Sequence, residues 1–341
     1  MLLTVMQLVV SLLAILGAAI VFTNAVEILG ERLELGGGAV GSVLAAVGTA
    51  LPETMIPLVA IFMSLVTGSS ATNEISVGAI VGAPFLLSTL GMCIVGASAL
   101  GFRGRRESGQ EIAINKEVTK RDLSYFLPFF LVAGAADFFP LPLFAKVGLA
   151  VVLVGGYSYY VWQTITGGGE SQEESSPGSL WLWPSSSGEA PMWAVLAQVV
   201  APIGIMAVGA HYFVQSVEHI SQEIGVPAGL IALIIAPLAT ELPEKFNSVY
   251  WLRDNKDPVA VGNISGAMVF QSTIPVSLGL IFTPWSLAPF RGDLAIALAL
   301  VAGVALFLML RSQKALRGAY LLGGGVLYAA FVVVAIVTVL T

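Results

Sequence analysis

The sequence is poor in cysteine, histidine and charge. One cysteine, Cys93, stands in 341 residues. That excludes an intrachain disulfide framework and a multi-cysteine metal centre. Cys93 lies in an apolar run and reads as a small packing residue. Two histidines, His211 and His219, are too few for a histidine metal centre and read as interfacial residues near a helix end. No H-E-x-x-H motif is present, and no His falls within a mid-span run, which argues against an intramembrane hydrolase. A G-K-[S/T] phosphate loop is also missing, which argues against an ATP-driven pump. Met1-Leu2-Leu3-Thr4 carries no basic segment, so the first apolar run is expected to be a retained helix rather than a cleaved signal. Charged residues make up 11% of the chain, against about 25% in an ordinary soluble domain. The net charge of −6 speaks against nucleic acid as a partner.

Apolar residues fill the space that charge leaves. The chain is 57% hydrophobic. Runs long enough to cross a bilayer fall at roughly 4–28, 38–66, 74–100, 123–139, 143–165, 191–217, 226–252, 258–283, 289–310 and 317–340. Strand-like alternation is missing, which argues against a β-barrel. The expected fold is therefore an all-α integral membrane protein of about ten transmembrane helices embedded in a lipid bilayer. Its oligomeric state is not readable from these features.

Three polar links separate the runs. Residues 101–122 hold six Lys and Arg. Residues 166–190 are acidic and rich in Gly, Ser and Pro, as expected of a flexible linker. Residues 253–257 form a short charged turn. With the N-terminus placed outside, twelve of the fifteen Lys and Arg fall on inner loops. Only Lys146 and Arg291 fall outside, and Lys245 lies within a span. Positive residues concentrate on the cytoplasmic side. Both termini are thus expected to be extracellular, and the acidic linker cytoplasmic, in a multi-pass protein of the cell membrane.

One stretch is written twice. Gly48-Thr49-Ala50-Leu51-Pro52-Glu53 recurs 191 residues later as Ala239-Thr240-Glu241-Leu242-Pro243-Glu244. Each copy sets a proline and a carboxylate at membrane depth, where irregular backbone survives only beside protein or a cavity and acids mark ion pathways. The likeness continues into the next run. Gly78-Ala79-Ile80-Val81-Gly82 answers Gly262-Asn263-Ile264-Ser265-Gly266, and Ser88-Thr89 answers Ser272-Thr273. The first copy has seven extra residues in its turn. Each copy reads as one helix broken at Pro-Glu and one with a G-x-x-x-G packing face. Each copy belongs to a five-helix half: residues 1–165 with the repeat at 41–98, and residues 191–341 with the repeat at 230–282. Five is odd, so the halves would be inverted, with a site at midplane between them.

These motifs resemble the sodium/calcium exchanger superfamily, the cation/calcium antiporters. That family carries two inverted repeats, each with a G-T-S-x-P-E helix followed by a G-N-x-x-G-S-N/D helix. The resemblance implies ten helices with both termini outside. It also implies ion ligands from the Thr, Ser and Glu of the first motif, with polar residues of the second completing the cage. Thr49, Glu53, Thr240 and Glu244 keep the Thr and Glu positions. Ala50 and Glu241 replace the Ser. The second motif is eroded, since Gly78-Ala79 and Gly82-Ala83-Pro84 replace its polar residues in one copy and Ala267-Met268 in the other.

The implied function is secondary antiport of Ca²⁺, or a similar cation, against Na⁺, with no resident cofactor. Glu53 and Glu244 together carry a charge that one Ca²⁺ or two Na⁺ neutralise. Thr49, Thr240 and carbonyls released by the prolines add oxygens toward the six to eight that Ca²⁺ takes. Asn263 and Ser265 are further candidate ligands. Proton-coupled exchange and a cation-binding member that does not transport are the alternatives. Glu241 and Lys245 stand at i and i+4. Either they pair, or Glu241 joins the site while Lys245 snorkels outward; the Ser position of Glu241 favours its joining the site. Asp137 reads as interfacial, and Ser88, Thr89, Gln271, Ser272 and Thr273 as packing glue.

Overall fold

The computed structural model describes residues 1–33, 39–166, 179–183, 190–312 and 316–340. It describes their side chains except those of residues 31, 39–49, 243, 244, 312, 339 and 340. Most of the acidic link at 166–190, and Lys314, lie outside the described residues.

Helices occupy all ten expected positions. They are α1 (Leu2–Arg32), α2 (Ala39–Thr67), α3 (Ser70–Leu86) leading into α4 (Met92–Gly101), α5 (Lys116–Ala135) and α6 (Leu143–Thr166). After the acidic link come α7 (Met192–Ile224), α8 (Ala228–Arg253), α9 (Asp257–Gln271) followed by α10 (Ile274–Phe282), α11 (Gly292–Ser312) and α12 (Gly318–Leu340). Among the described residues, eight helical stretches are long and apolar enough to cross a membrane. The remaining two are α5, which opens on Lys116-Glu117, and α8, whose apolar part is the shorter Ala228–Leu242. The protein is a multi-spanning helical membrane protein. Among the described residues, the one departure from all-α is a two-stranded antiparallel ribbon that pairs Glu111 with Arg317 and Ile112 with Leu316.

Local chemistry sets several boundaries. The Asn115 side chain caps α5 by accepting from the Val118 amide at 3.3 Å. Gly225 ends α7 in the left-handed region, at φ +72°, where a side chain would be strained. Pro258 sits in the first turn of α9, where a missing N–H costs nothing.

The expected break at Pro-Glu is absent. Helices α2 and α8 stay helical through Pro52 and Pro243. A proline removes one amide hydrogen and crowds one carbonyl, which weakens a turn without having to end it. The interruptions lie instead in the second helix of each copy. The α3–α4 rod passes through a π turn at Leu87–Gly91, and the α9–α10 rod breaks at Ser272-Thr273. Both breaks fall on the repeated Ser-Thr pair. Ser88 and Thr89 donate to the Phe85 carbonyl at 3.2 and 2.5 Å. Ser272 and Thr273 donate to the Val269 carbonyl at 3.0 and 2.8 Å. Phe85 and Val269 occupy the same register. Hydroxyls that bond back to a preceding carbonyl compete with the helix ladder and bend it.

The core is tightest where α3 crosses α8. A Cβ on Gly78 would collide with the Gly229 carbonyl, and one on Gly82 with the Leu233 carbonyl and the Pro237 ring. Two backbones therefore touch there. In the second copy the expected tight packing is not found among the described residues. A Cβ on Gly262 meets nothing within 4 Å, and one on Gly266 meets only the Tyr160 hydroxyl at 3.5 Å.

Loops gather at two ends. At one, the N-terminal ammonium lies 3.3 Å from Glu223, Ser69 donates to Glu218 at 2.8 Å, and Lys146 donates to the Thr283 and Pro284 carbonyls at 3.2 and 3.0 Å. Asp137 accepts there from the Leu287 amide at 3.1 Å. The rings and loops join up where Phe290 abuts Gly229. At the other end Arg106 is buried in an ion pair with Asp257. The Glu107 amide donates to Asn255 at 3.1 Å, and the ribbon and the Gly318 amide tie residues 110–112 to the start of α12.

The crossing yields a stability prediction. Gly82→Val should destabilise the protein by about 1–3 kcal/mol through overpacking. Gly262→Ala should leave the melt nearly unchanged. Thermal unfolding of the purified variants in one detergent checks both.

Candidate functional site

Two helices carry the repeated acids. Glu53 sits near the middle of α2 and is buried, 8% exposed. Its counterparts Glu244 on α8 and Thr49 on α2 have side chains outside the described ones. Thr240 is buried and donates its hydroxyl hydrogen to the Ala236 carbonyl at 3.1 Å. That bond uses the hydrogen and leaves oxygen lone pairs to accept.

Next to Thr240 on α8, Glu241 forms an ion pair at 3.3 Å with Lys245, one turn on, and each is 1% exposed. The two side chains pair within the protein. Lys245 does not snorkel outward. Its ammonium turns inward and also donates to Oδ1 of Asn263, on α9, at 3.3 Å. Gln271, on the same helix, donates to Oε1 of Glu241 at 3.1 Å. Four side chains from two antiparallel helices therefore close on one another. Gln271 thus links α9 to α8 by holding one carboxylate oxygen of Glu241, as polar glue between helices does.

Ser265 is drawn elsewhere. Its hydroxyl donates to Oδ2 of Asp122, on α5, at 2.5 Å. Tyr160, on α6, donates to Oδ1 of the same carboxylate at 3.0 Å, and Arg121 lies 3.5 Å from it. The Arg121 guanidinium also stands 5.3 Å from the Tyr160 ring centre, within cation–π range. Two residues along a helix from Asn263, Ser265 faces a different neighbour, so the structure divides Asn263 and Ser265 between two clusters. Asp122 itself was hidden in the sequence. It ends the basic link at 101–122 and precedes its apolar run by one residue, so it reads as loop. Its signal is that the helix cap at Asn115 starts α5 about two turns earlier than the apolar run does.

Glu53 is a buried acid on α2, and Lys245 pairs with the buried Glu241 on α8. Breaking a buried pair by removing one partner costs about 3–5 kcal/mol, because a charge is left without compensation in low dielectric. Among the described residues no group of three or more His, Cys, Asp or Glu gathers as for a resident metal.

Comparison with known proteins settles the family. The family model for sodium/calcium exchanger protein matches residues 3–166 and 194–339. The chain belongs to the sodium/calcium exchanger family. This places it among membrane transporters rather than enzymes. It is 24% identical over 332 residues, 95% of each chain, to the inner membrane protein YrbG of Escherichia coli K12. It is 25% identical over 142 residues to the putative antiporter CaxA of Alkalimonas amylolytica, covering 42% of this chain and 44% of that one. The crystal structure of the H⁺/Ca²⁺ exchanger CAX superposes with a TM-score of 0.67 at 18% identity, over 98% of this chain and 86% of that one. The sodium–calcium exchanger NCX_Mj superposes at 0.55 and 20% identity, over 96% and 98%. Both exchangers share the fold of this family member.

The Asp122 cluster predicts a graded loss. Asp122→Ala strands Ser265, Tyr160 and Arg121 at once and should cost about 1–3 kcal/mol for each buried group left unsatisfied. Tyr160→Phe removes one bond and should cost less. Chemical denaturation of the two variants in detergent gives the order.

Proposed function

We propose that this exchanger-family member is a secondary active antiporter that exchanges Ca²⁺, or a similar cation, against Na⁺ by alternating access. The observation that carries the reading is the burial of Glu53 in the middle of α2, at a position repeated on α8 as Glu244, in a chain that the family model covers in both halves. The pair supplies two negative charges, which one Ca²⁺ or two Na⁺ neutralise. Thr240 and Thr49 stand one helical turn before the acids, on the same face, where their oxygens can complete the coordination. Either load lets the site close without a net charge in lipid, and an unloaded site leaves like charges facing each other. That difference couples the two fluxes.

The chain crosses the membrane ten times in two inverted five-helix halves, residues 1–165 and 191–341. Loop parity supports this. The contacts of Met1, Ser69, Asp137, Lys146, Glu218, Glu223 and Thr283 join the N-terminus to loops that follow even-numbered spans. The contacts of Arg106, Glu107, Asn255, Asp257 and Arg317 join loops that follow odd-numbered spans. The matched bends at Ser88-Thr89 and Ser272-Thr273 support the two halves as copies. The basic loops face the cytoplasm and both termini face outward.

Proton-coupled exchange of the same cation is the second reading. It is favoured by the better superposition on a H⁺/Ca²⁺ exchanger than on a sodium–calcium exchanger.

In proteoliposomes, Ca²⁺ uptake should follow an outward Na⁺ gradient at constant pH, and Glu53→Gln should abolish it. Uptake that follows a pH gradient alone would select the proton-coupled reading. In a Cys93→Ser background, a membrane-impermeant maleimide should label Glu223→Cys in intact cells and Arg105→Cys only after the membrane is opened.

A further inference from the structure

Lys245 is an ammonium placed where an ion would be held. Its Nζ lies 3.3 Å from Oε2 of Glu241 and 3.3 Å from Oδ1 of Asn263. The two oxygens come from different helices and converge on one positive centre. Gln271 fixes the other oxygen of Glu241 at 3.1 Å, so the carboxylate is oriented as well as buried. Lys245 is 1% exposed and ranks among the largest fully buried side chains. A lysine in a membrane helix ordinarily reaches for the interface. Keeping this one inside gives up that escape.

The other copy shows what the position does without the lysine. Moving back through the repeat register, Glu241 corresponds to Ala50, Lys245 to Thr54, Asn263 to Ala79 and Gln271 to Leu87. All four are uncharged. Thr54 donates to the Ala50 carbonyl at 2.6 Å and needs no partner from the next helix. The oxygens that could hold a cation and the cation that fills their place therefore occur together, in one copy only. Packing alone gives no reason for this, since an uncharged set fills the equivalent place in α2, α3 and the π turn.

We propose that the Lys245 ammonium is a resident, tethered cation of the transport region: it occupies a monovalent-cation position formed by Glu241 and Asn263, which becomes a Na⁺ site when the ammonium is removed. The inference rests on the antiport reading for its consequence, a lower number of ions carried per cycle, and not for its test. With the lysine in place, Glu241 is compensated by the chain itself and not by cargo. Without it, Glu241 and Asn263 offer oxygens to an alkali ion of the same charge. A divalent ion would overcompensate that single carboxylate.

The test counts ions on the purified full-length chain. Equilibrium binding of radioactive Na⁺ to Lys245→Met should saturate at one more ion per chain than in the wild type. Glu241→Gln combined with Lys245→Met should return the count to the wild-type value. Lys245→Gln keeps a polar end toward Asn263 and serves if the methionine variant does not fold. In either folded variant, replacing choline by Na⁺ should raise the melting temperature more than it does in the wild type. Equal counts in the wild type and both Lys245 variants overturn the proposal, as does an extra ion that survives loss of the Glu241 charge. Flux is read separately. A wild type without cation exchange overturns the antiport reading and leaves the ion count standing.

Discussion

Two backbones in contact set the frame for everything else. Gly78 and Gly82 bring α3 so close to α8 that the carbonyls of Gly229 and Leu233 occupy the space of any Cβ. In lipid no hydrophobic force drives apolar helices together, so close approach and van der Waals contact must do it. The contact joins the second helix of one copy to the motif helix of the other. It lodges α8 deep in the protein even though its charged second half is too polar to be a conventional span. Glu241 and Lys245 can be carried at depth because their own side chains face protein, each 1% exposed.

Burial then forces charges to find partners. Glu241, Lys245, Asn263 and Gln271 are joined in one set, and Asp122, Ser265, Tyr160 and Arg121 in another. Both sets draw on α9, which offers Asn263 and Gln271 to α8 and Ser265 to α5. An exchanger needs acids that are neutral when loaded and costly when empty. An acid with a fixed partner cannot serve that way. Glu241 and Asp122 have their partners on α8, α9, α5 and α6, and Glu53 lies on the helix that carries the first copy of the motif.

The ends of the molecule differ in character. At the Arg106 end a buried ion pair, amide bonds and a short ribbon clamp three loops together. At the opposite end the links are single side-chain contacts, such as Met1 with Glu223 and Ser69 with Glu218, and the first of these is exposed. Exposed ion pairs contribute little, roughly 0–1 kcal/mol, whereas breaking a buried one is costly.

Much of this was legible from residue order alone. Ten apolar runs predicted ten helical rods, because length and hydropathy decide which segments a bilayer accepts. The doubled Pro-Glu motif marked the two helices that matter, because a proline and an acid are both expensive at depth. The Ser-Thr pairs were visible as a repeat, although their role as the bend was not. Packing decided the rest. Whether Lys245 pairs or snorkels depends on which helix stands beside it. Whether Pro52 ends a helix depends on what satisfies the carbonyl it frees. Asp122 became a buried partner of Ser265 only because α5 and α9 meet. Each of these turns on the neighbours that folding brings from more than a hundred residues away or across a hairpin, and a linear pattern carries periodicity and polarity but not who stands opposite whom.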